Sequence, residues 1–431
     1  MTRSPGSFAV DGRPLRIPAF RRLWVASAVS AVGGSFGAIA VPTQLFTLTG
    51  SSAAIGVSAV VAFVAVTVAA LGGGALADVV DRRRLLLAAQ AVQGGTCLLL
   101  WAQSAVALRS VPVLLVLVGA QGLGLGTVLT TTGAVVPRIV PVELLAAATG
   151  LGALVRYSGA VAGPLLAGVL IPVTGLGTLY LLDAVALLAV LWAVFRLPPM
   201  PPRVAAAGRQ RSPGRAASAR GLARGVGAGF GYLFADRLLL AVLGIDLAAT
   251  VFGMPFALFP ELARRAFGGP DGGGTALGLL YAAYPAGVLA MGLVSGTFTR
   301  ARRHGALLVS AGAAWGLSVV WLGLAPGLGT ALGALVLGGA VNVVLSTSRN
   351  AITMAHTDDA LRGRTQGALT IVLVGGPQAG MLLHAAASSG LGPRPAVVLG
   401  GLLTVAAAGA VTWRVPDLWR YLAPPAGTRV R

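Results

Sequence analysis

Residues 144–171 read LLAAATGLGALVRYSGAVAGPLLAGVLI, and the only charge among them is Arg156. About 20 apolar residues are enough to cross the hydrocarbon core of a bilayer as a helix. A segment in lipid must satisfy its own backbone hydrogen bonds, and this one is too long for a barrel strand. The stretch therefore predicts a transmembrane helix.

Similar apolar runs fill most of the chain. Of its 431 residues 56% are hydrophobic and 10% are charged, and the mean hydropathy is +0.85. Soluble domains have about 25% charged residues, so a soluble enzyme is excluded. We predict an all-α membrane protein with twelve transmembrane helices, at 23–46, 53–77, 85–105, 111–136, 144–171, 175–195, 238–259, 275–299, 305–325, 328–352, 365–387 and 396–413.

The basic residues lie in short clusters between these runs. All 32 are arginines, and the net charge is +20. Counting the loops alternately places 26 arginines on one side and four on the other, and arginine concentrates in cytoplasmic loops. The pattern predicts a multi-pass protein of a bacterial cell membrane, with both termini cytoplasmic and basic loops on an anionic inner leaflet. It argues against nucleic acid as a partner.

The longest connection divides the chain into two halves. We predict a cytoplasmic N-terminus (1–22), a six-helix half (23–195), a basic linker (196–237), a second six-helix half (238–413) and a cytoplasmic C-terminus (414–431). Residues 221–237 form either an amphipathic surface helix or a continuation of the linker. A shift of 222 residues aligns Gly56 with Gly278 and Leu85 with Leu307. The halves are therefore expected to be pseudo-symmetric, with a substrate site between them near the midplane.

The loop after the second run reads Gly74-Ala-Leu76-Ala-Asp78-Val-Val-Asp81-Arg82-Arg83-Arg84. It resembles a signature of the major facilitator superfamily, although Val79 replaces a basic residue and Asp81 replaces a glycine that favours a tight turn. The resemblance implies a gating loop in which Asp78 and Arg82 form a latch that helps to hold the outward-facing state. A charge cluster that only sets topology is the alternative. The residues that match the motif are Gly74, Leu76, Asp78, Arg82 and Arg83.

The fifth run carries a second pattern of small residues. It resembles the antiporter motif of the same superfamily at every position except Ala167, where the family has glycine. The resemblance implies the major facilitator fold and favours export over import, while generic helix packing is the alternative. The matching residues are Gly150, Gly159, Gly163, Pro164 and Gly168.

Further stretches resemble the siderophore-exporting branch of the superfamily, which is close to drug and macrolide efflux proteins. They lie at 40–44, 155–156, 280–287 and 361–367, and the similarity extends over roughly residues 19–415. The resemblance implies a monomeric secondary transporter that exports a small organic molecule, with a siderophore first, a drug or macrolide second and a nutrient importer third. A membrane enzyme or a receptor is opposed by the lack of an interfacial acid or histidine cluster and of a soluble domain.

Arg156 is the leading candidate for substrate contact. A charge inside the bilayer needs a partner or a water-filled cavity, and an arginine fork suits catecholate, carboxylate or phosphate groups. An ion pair with Asp183 or Asp246 is the alternative. These two acids lie well inside the predicted spans, and either can carry a coupling proton. Gln44 and Tyr284 complete the predicted substrate or proton pathway.

Cofactor sites are not predicted. The chain has one cysteine, Cys97, its three histidines lack metal-site spacing, and no phosphate-binding loop is present. We therefore expect neither metal nor organic cofactor, no catalytic residues, and a proton gradient rather than ATP as the energy source.

Overall fold

The computed structural model describes residues 11–197, 227, 230–270, 273–294, 298, 301–357 and 362–422. These residues form helices and short 3-10 turns, and no strand occurs among them. The helices are α1 (Pro18–Thr49), α2 (Ser52–Val79), α3 (Arg82–Ala105), α4 (Val111–Ile139), α5 (Leu145–Phe195), α6 (Arg237–Val251), α7 (Phe259–Arg265), α8 (Thr275–Leu293), α9 (His304–Leu324), α10 (Leu328–His356), α11 (Arg362–Leu391), α12 (Pro393–Arg414) and α13 (Pro416–Arg420).

Eleven helical segments of the described chain are long and apolar enough to cross a membrane. One of them, Val142–Phe195, has 54 residues. A straight helix of that length would measure about 80 Å, against a hydrocarbon core of about 30 Å. It is broken at Gly175, whose φ of 77° and ψ of 171° suit glycine. The two parts of α5 correspond to the fifth and sixth predicted spans, so the described residues contain twelve candidate crossings.

The seventh crossing is also interrupted. Helix α6 ends at Val251, a 3-10 turn spans Phe256–Leu258, and α7 follows. Pro255 lacks a backbone N–H, and Gly253 lies so close to Trp315 that an added Cβ would be 2.2 Å from Nε1. The prediction placed the end of this span at residue 259, but the apolar segment continues to Arg265.

The helix ends define two sides of the molecule. We name the Gly50 end after the α1–α2 turn, and it also holds the α3–α4 loop, the break at Gly175, the α9–α10 turn and the α11–α12 turn. We name the Asp81 end after the α2–α3 turn, and it holds the α4–α5 connection, the end of α5 and the start of α9. Helices α1–α5 form the first half, and α6–α12 form the second half.

The most extensive contacts between the halves are made by two helix pairs, α2 with α11 and α5 with α8. At the first crossing a Cβ added to Gly56 would lie 2.9 Å from the Ala385 Cβ. At the second, a Cβ on Gly278 would lie 2.4 Å from the Pro164 carbonyl oxygen and 2.8 Å from the Gly168 Cα. Gly56 and Gly278 are the pair that the sequence repeat aligns. They therefore perform the same task, a close helix approach, in symmetry-related positions.

The predicted basic linker lies mostly outside the described residues. After it, residues 230–235 are helical. The Tyr232 hydroxyl donates to the His356 carbonyl oxygen at 2.6 Å, and Phe230 and Tyr232 pack against a cluster that contains Leu233 and Leu369. This segment is thus attached to the Asp81 end of the second half.

Candidate functional site

A buried ion pair lies in the middle of the second half. Arg349 of α10 donates from Nη1 to Asp246 Oδ1 of α6 at 2.5 Å, and the two side chains are 8% and 1% exposed. Arg349 also donates from Nε and Nη2 to the side-chain oxygen of Asn350, at 3.3 and 3.2 Å. The second carboxylate oxygen of Asp246 is buried and accepts no hydrogen bond from the described residues. The pair therefore keeps one acceptor free for a proton or a donor.

Aromatic rings pack next to α6, the helix that carries Asp246. The Trp315 indole N–H donates to the Ala249 carbonyl oxygen at 2.8 Å, one turn after Asp246. The Tyr284 ring meets Trp315 and Phe256 edge to face, with centroids 5.5 and 5.6 Å apart. The three rings therefore form one aromatic cluster next to α6, which carries Asp246.

Arg156 lies next to Tyr157 on α5. Its side chain is exposed, and its guanidinium lies 5.4 Å from the centroid of the Tyr157 ring. Within the described chain Arg156 forms no ion pair, because Asp246 binds Arg349 and Asp183 contacts Cys97. The alternative of an ion pair between Arg156 and either acid is therefore corrected, and the guanidinium stays available for an anion.

The first half contains a buried carboxylate of a different kind. Asp183, in the second part of α5, accepts a hydrogen bond from the Cys97 thiol at 3.4 Å, and Gln121 donates to that sulfur at 3.3 Å. A Cβ added to Gly33 or Gly37 of α1 would lie 3.1 Å from the carboxylate. Among the described residues no cation contacts Asp183. The sequence argument identified this acid but not its neighbours.

Gln44 belongs to the same half as Asp183. Its side-chain oxygen accepts from the Tyr180 hydroxyl at 2.7 Å and from Gln103 Nε2 at 3.1 Å. Tyr180 precedes Asp183 by three residues and therefore lies on the same face of its helix. The predicted pathway residues thus form two groups, with Gln44 and Asp183 in one half and Asp246 and Tyr284 in the other.

The glycines of the antiporter motif face two different partners. Cβ atoms added to Gly159 and Gly163 would lie 2.5 Å from the Ala31 Cβ and 2.4 Å from the Ser35 Cβ, both on α1. Gly168, together with Pro164, instead packs on Gly278 of the second half. No described atom lies within 4 Å of the Cβ position of Gly150. The motif therefore fixes α5 to α1 and also forms one of the two crossings between the halves.

The α2–α3 loop differs from a glycine-based turn. Asp81 has a φ of −57°, and its side chain caps α3 by accepting from the Arg83 backbone N–H at 2.8 Å. Arg83 donates to the Phe195 carbonyl oxygen, and its guanidinium lies 5.2 Å from the Phe195 ring. Arg83 thus joins α3 to α5 within one half. The backbone of Gly74, Leu76 and Asp78 is helical, but the side chains of this segment, and with them the predicted latch, lie outside the described residues.

Comparison with known proteins agrees with this architecture. The sequence model of the Major Facilitator Superfamily matches residues 23–381 of the chain. The chain belongs to the Major Facilitator Superfamily. It is a multi-pass membrane transporter and not an enzyme.

Relatives within the Major Facilitator Superfamily include exporters. The chain is 29% identical over 377 residues to a protein named enterobactin exporter EntS from Shigella flexneri, covering 85% of this chain and 84% of that one. It is 27% identical over 419 residues to the EntS protein of Citrobacter koseri, covering 95% and 94%.

Solved structures show the same fold at low sequence identity. A POT family transporter superposes with a TM-score of 0.71 at 12% identity, covering 95% of this chain and 98% of that one. The nucleoside transporter NupG gives a TM-score of 0.69, also at 12% identity, and covers 94% and 99%.

Sequence reasoning missed a contact that joins the halves of this transporter at the Gly50 end. Glu261 of α7 is buried, and its Oε2 accepts from Ser52 of α2 at 2.6 Å and from Ser388 of α11 at 3.0 Å. Arg265 donates to Oε1 at 2.7 Å. We call these four residues the Glu261 clasp. Glu261 follows an apolar run directly and precedes two arginines, so its sequence suggests a solvated loop.

Arg349 was also missed, although a signal existed. The cost of a charge within a span, which singled out Arg156, applies equally to Arg349 in the predicted span 328–352. The same criterion, applied to Arg156 and Arg349 together, predicts that a buried acid pairs with one of the two arginines. For a metal site, the described residues contain no group of three histidine, cysteine or acidic side chains placed to bind an ion.

Proposed function

We propose that this transporter exports an anionic, aromatic small molecule from the cytoplasm, and that a catecholate siderophore is the leading substrate class. The exporter names of its relatives support the direction and the substrate class. The arginine distribution supports a bacterial cell membrane with both termini cytoplasmic, so that the Gly50 end faces outward.

The Asp246–Arg349 pair is the observation that carries the proposal. An anionic group on the substrate competes with Asp246 for the Arg349 guanidinium, which can bind oxygens in a planar, bidentate manner. Releasing Arg349 leaves Asp246 as an uncompensated buried charge, which is costly unless it takes up a proton at its free oxygen. Binding of an anion and binding of a proton are therefore coupled in this half.

The rings and Arg156 supply the rest of a binding surface. Tyr284 and Phe256 offer aromatic surface next to α6, which carries Asp246, and Tyr157 adds a ring beside Arg156 on α5 of the first half. Arg156 adds a second cation on the α5 side. An aromatic substrate with acidic oxygens fits such a surface better than a neutral sugar does.

Protons are proposed to drive export. Asp183 is buried beside a thiol rather than a cation, so its charge is stabilised only weakly when it is ionised. We propose that it takes up a proton from outside and releases it to the cytoplasm as the halves rock around the substrate. The described crossings and the Glu261 clasp would then close the outward side in the present state.

The test combines export with a matched pair of arginine variants. The gene is deleted in its native host, the cells are starved of iron, and siderophore is measured inside and outside by mass spectrometry. The wild-type gene and R394Q should restore secretion. R349Q should not, although it reaches the membrane. Arg394 is a fair control because it stacks on Phe267 at the Gly50 end, away from the ion pair.

Two results would overturn the proposal at different levels. Unchanged secretion in the deletion strain would exclude the siderophore, and a drug and macrolide susceptibility panel on the same strain would then test the second substrate class. If R349Q restores secretion, the protein is still an exporter, but the Asp246–Arg349 ion pair is not required for export.

A further inference from the structure

A groove on the outer surface of the helix bundle lies at the Asp81 end, apart from the central residues described above. It has a volume of about 240 Å³ and runs between the start of α1 and the last part of α5. Arg21 and Arg22 are among its lining residues, and the lining is otherwise apolar. Its apolar lining includes Val25, Val29, Ala189 and Trp192.

The groove combines charge and apolar surface along one line. Arg21, Val25 and Val29 are spaced four residues apart and therefore form one stripe on α1, about 12 Å long. Val25, Val29 and Trp192 are 50%, 46% and 54% exposed, so the walls are open to the bilayer. A ligand that fits has a polar, anionic head at the arginines and an apolar chain along the stripe.

Further cations strengthen the charged end. The Arg196 guanidinium lies 5.6 Å from the centroid of the Trp192 ring, and Arg83 lies against the neighbouring Phe195. In the described chain neither Arg21 nor Arg22 forms a salt bridge. Such a basic pocket between transmembrane helices suits an anionic lipid headgroup.

We propose that this groove is a binding site for one anionic phospholipid, with its phosphate at Arg21 and Arg22 and an acyl chain along Val25 and Val29 beside Trp192. Occupancy ties the start of α1 to the end of α5. Since α1 and α5 both belong to the first half, the lipid would stabilise that half as a unit without taking part in substrate binding.

The experiment measures lipid binding to the purified full-length transporter in a neutral detergent. Phosphatidylglycerol with brominated chains is titrated against brominated phosphatidylcholine, and quenching of tryptophan fluorescence reports contact with the chains. The W192F variant identifies the part of the signal that comes from Trp192. We expect phosphatidylglycerol to quench that part at least fivefold more effectively than phosphatidylcholine.

Variants separate the headgroup from the chain. R21Q/R22Q should weaken phosphatidylglycerol binding by about 25-fold, at about fivefold for each arginine. A189F should block the groove with both arginines in place and weaken binding as well. R109Q, which removes an exposed arginine at the opposite end, should change nothing.

Three outcomes would overturn the proposal, and the first two need no variant of the arginines. Equal quenching by phosphatidylglycerol and phosphatidylcholine would show that the groove does not select an anionic headgroup. Glycerol 3-phosphate that competes as strongly as the whole lipid would indicate a soluble phosphate ligand. Full phosphatidylglycerol affinity in R21Q/R22Q would place the lipid elsewhere.

Discussion

The two halves share a helix arrangement but differ in how each handles a buried carboxylate. In the second half Asp246 pairs with Arg349, and the cation is in turn held by Asn350. In the described part of the first half, Asp183 accepts a hydrogen bond only from the Cys97 thiol, and Gln121 donates to that sulfur. A paired carboxylate depends on its arginine for its stability, whereas an unpaired one can change its protonation state without breaking an ion pair. Under the proposed function, substrate binding and the accompanying proton uptake at Asp246 belong to the second half, and exchange of the driving proton at Asp183 belongs to the first.

The two crossings that join the halves also differ in how closely their helices approach. At the α5–α8 crossing Gly278 meets backbone atoms, whereas at the α2–α11 crossing Gly56 meets the Ala385 side chain and, slightly farther away, the Leu382 backbone. The Ala385 Cβ moves only with its backbone, so the two crossings differ in distance, with 2.4 Å from the Gly278 Cβ position to its nearest neighbour against 2.9 Å from that of Gly56. The α5–α8 crossing, which contains the antiporter motif, is therefore the more restrictive of the two.

The largest effect is expected from R349Q. Removing one partner of a buried pair leaves Asp246 charged and unpaired, which costs about 3–5 kcal/mol in unfolding free energy. The double variant D246N/R349Q removes both charges and should recover most of the stability while export stays lost. Thermal unfolding in detergent, together with the export assay, checks both points. A double variant as unstable as R349Q would show that the pair is not the stabilising unit.

The second effect concerns the two crossings. G278A places a Cβ 2.4 Å from the Pro164 carbonyl oxygen and should destabilise the packing by about 2–3 kcal/mol, because backbone must move. G56A, with 2.9 Å to the Ala385 Cβ, should cost about 1 kcal/mol. Unfolding midpoints of the two variants give the comparison. Equal midpoints would mean that the crossings are equivalent.

A smaller change is expected at the Glu261 clasp. S52A removes one hydrogen bond to a carboxylate and should destabilise the closed Gly50 end by about 1.5 kcal/mol. Ser388 and Arg265 continue to hold Glu261, so the protein should still fold. Faster labelling of a cysteine introduced at the buried position Ile55 would report opening of this end, with S389A, whose hydroxyl bonds only within α11, as the control. An unchanged labelling rate in S52A would show that the Glu261 clasp does not control opening of the Gly50 end.

The smallest effect on stability, under about 1 kcal/mol, is expected from D183N, because only a weak thiol donor contacts this side chain. D183N should nevertheless abolish substrate accumulation driven by a pH gradient. Substrate exchange down its own concentration gradient should persist. Reconstituted vesicles with and without a pH gradient measure both. Gradient-driven accumulation by D183N would transfer the proton role to Asp246.

Local features of the sequence predicted the fold well. Apolar length predicted the crossings, including the separate fifth and sixth spans that the structure joins at Gly175. The repeat aligned Gly56 with Gly278, and the structure places both at crossings between the halves. The break in the seventh crossing was not predicted, because an apolar run does not reveal where a helix ends and resumes.

The candidate site was predicted only in part. Asp183, Asp246 and Tyr284 were identified as residues, but Arg349, the Glu261 clasp and the separation of Gln44 from Tyr284 were not. Each of these depends on contacts between residues far apart in the chain, such as the 103 positions that separate Asp246 from Arg349.

The sequence alone thus determined that the chain crosses a membrane in two related halves, because hydrophobic length, arginine placement and glycine spacing are local properties. Only the tertiary structure decided which polar groups meet. In a soluble protein the polar face of a helix shows which side is exposed. In a bilayer both the lipid and the protein interior are apolar, so the sequence of a spanning helix does not show which face meets its neighbours.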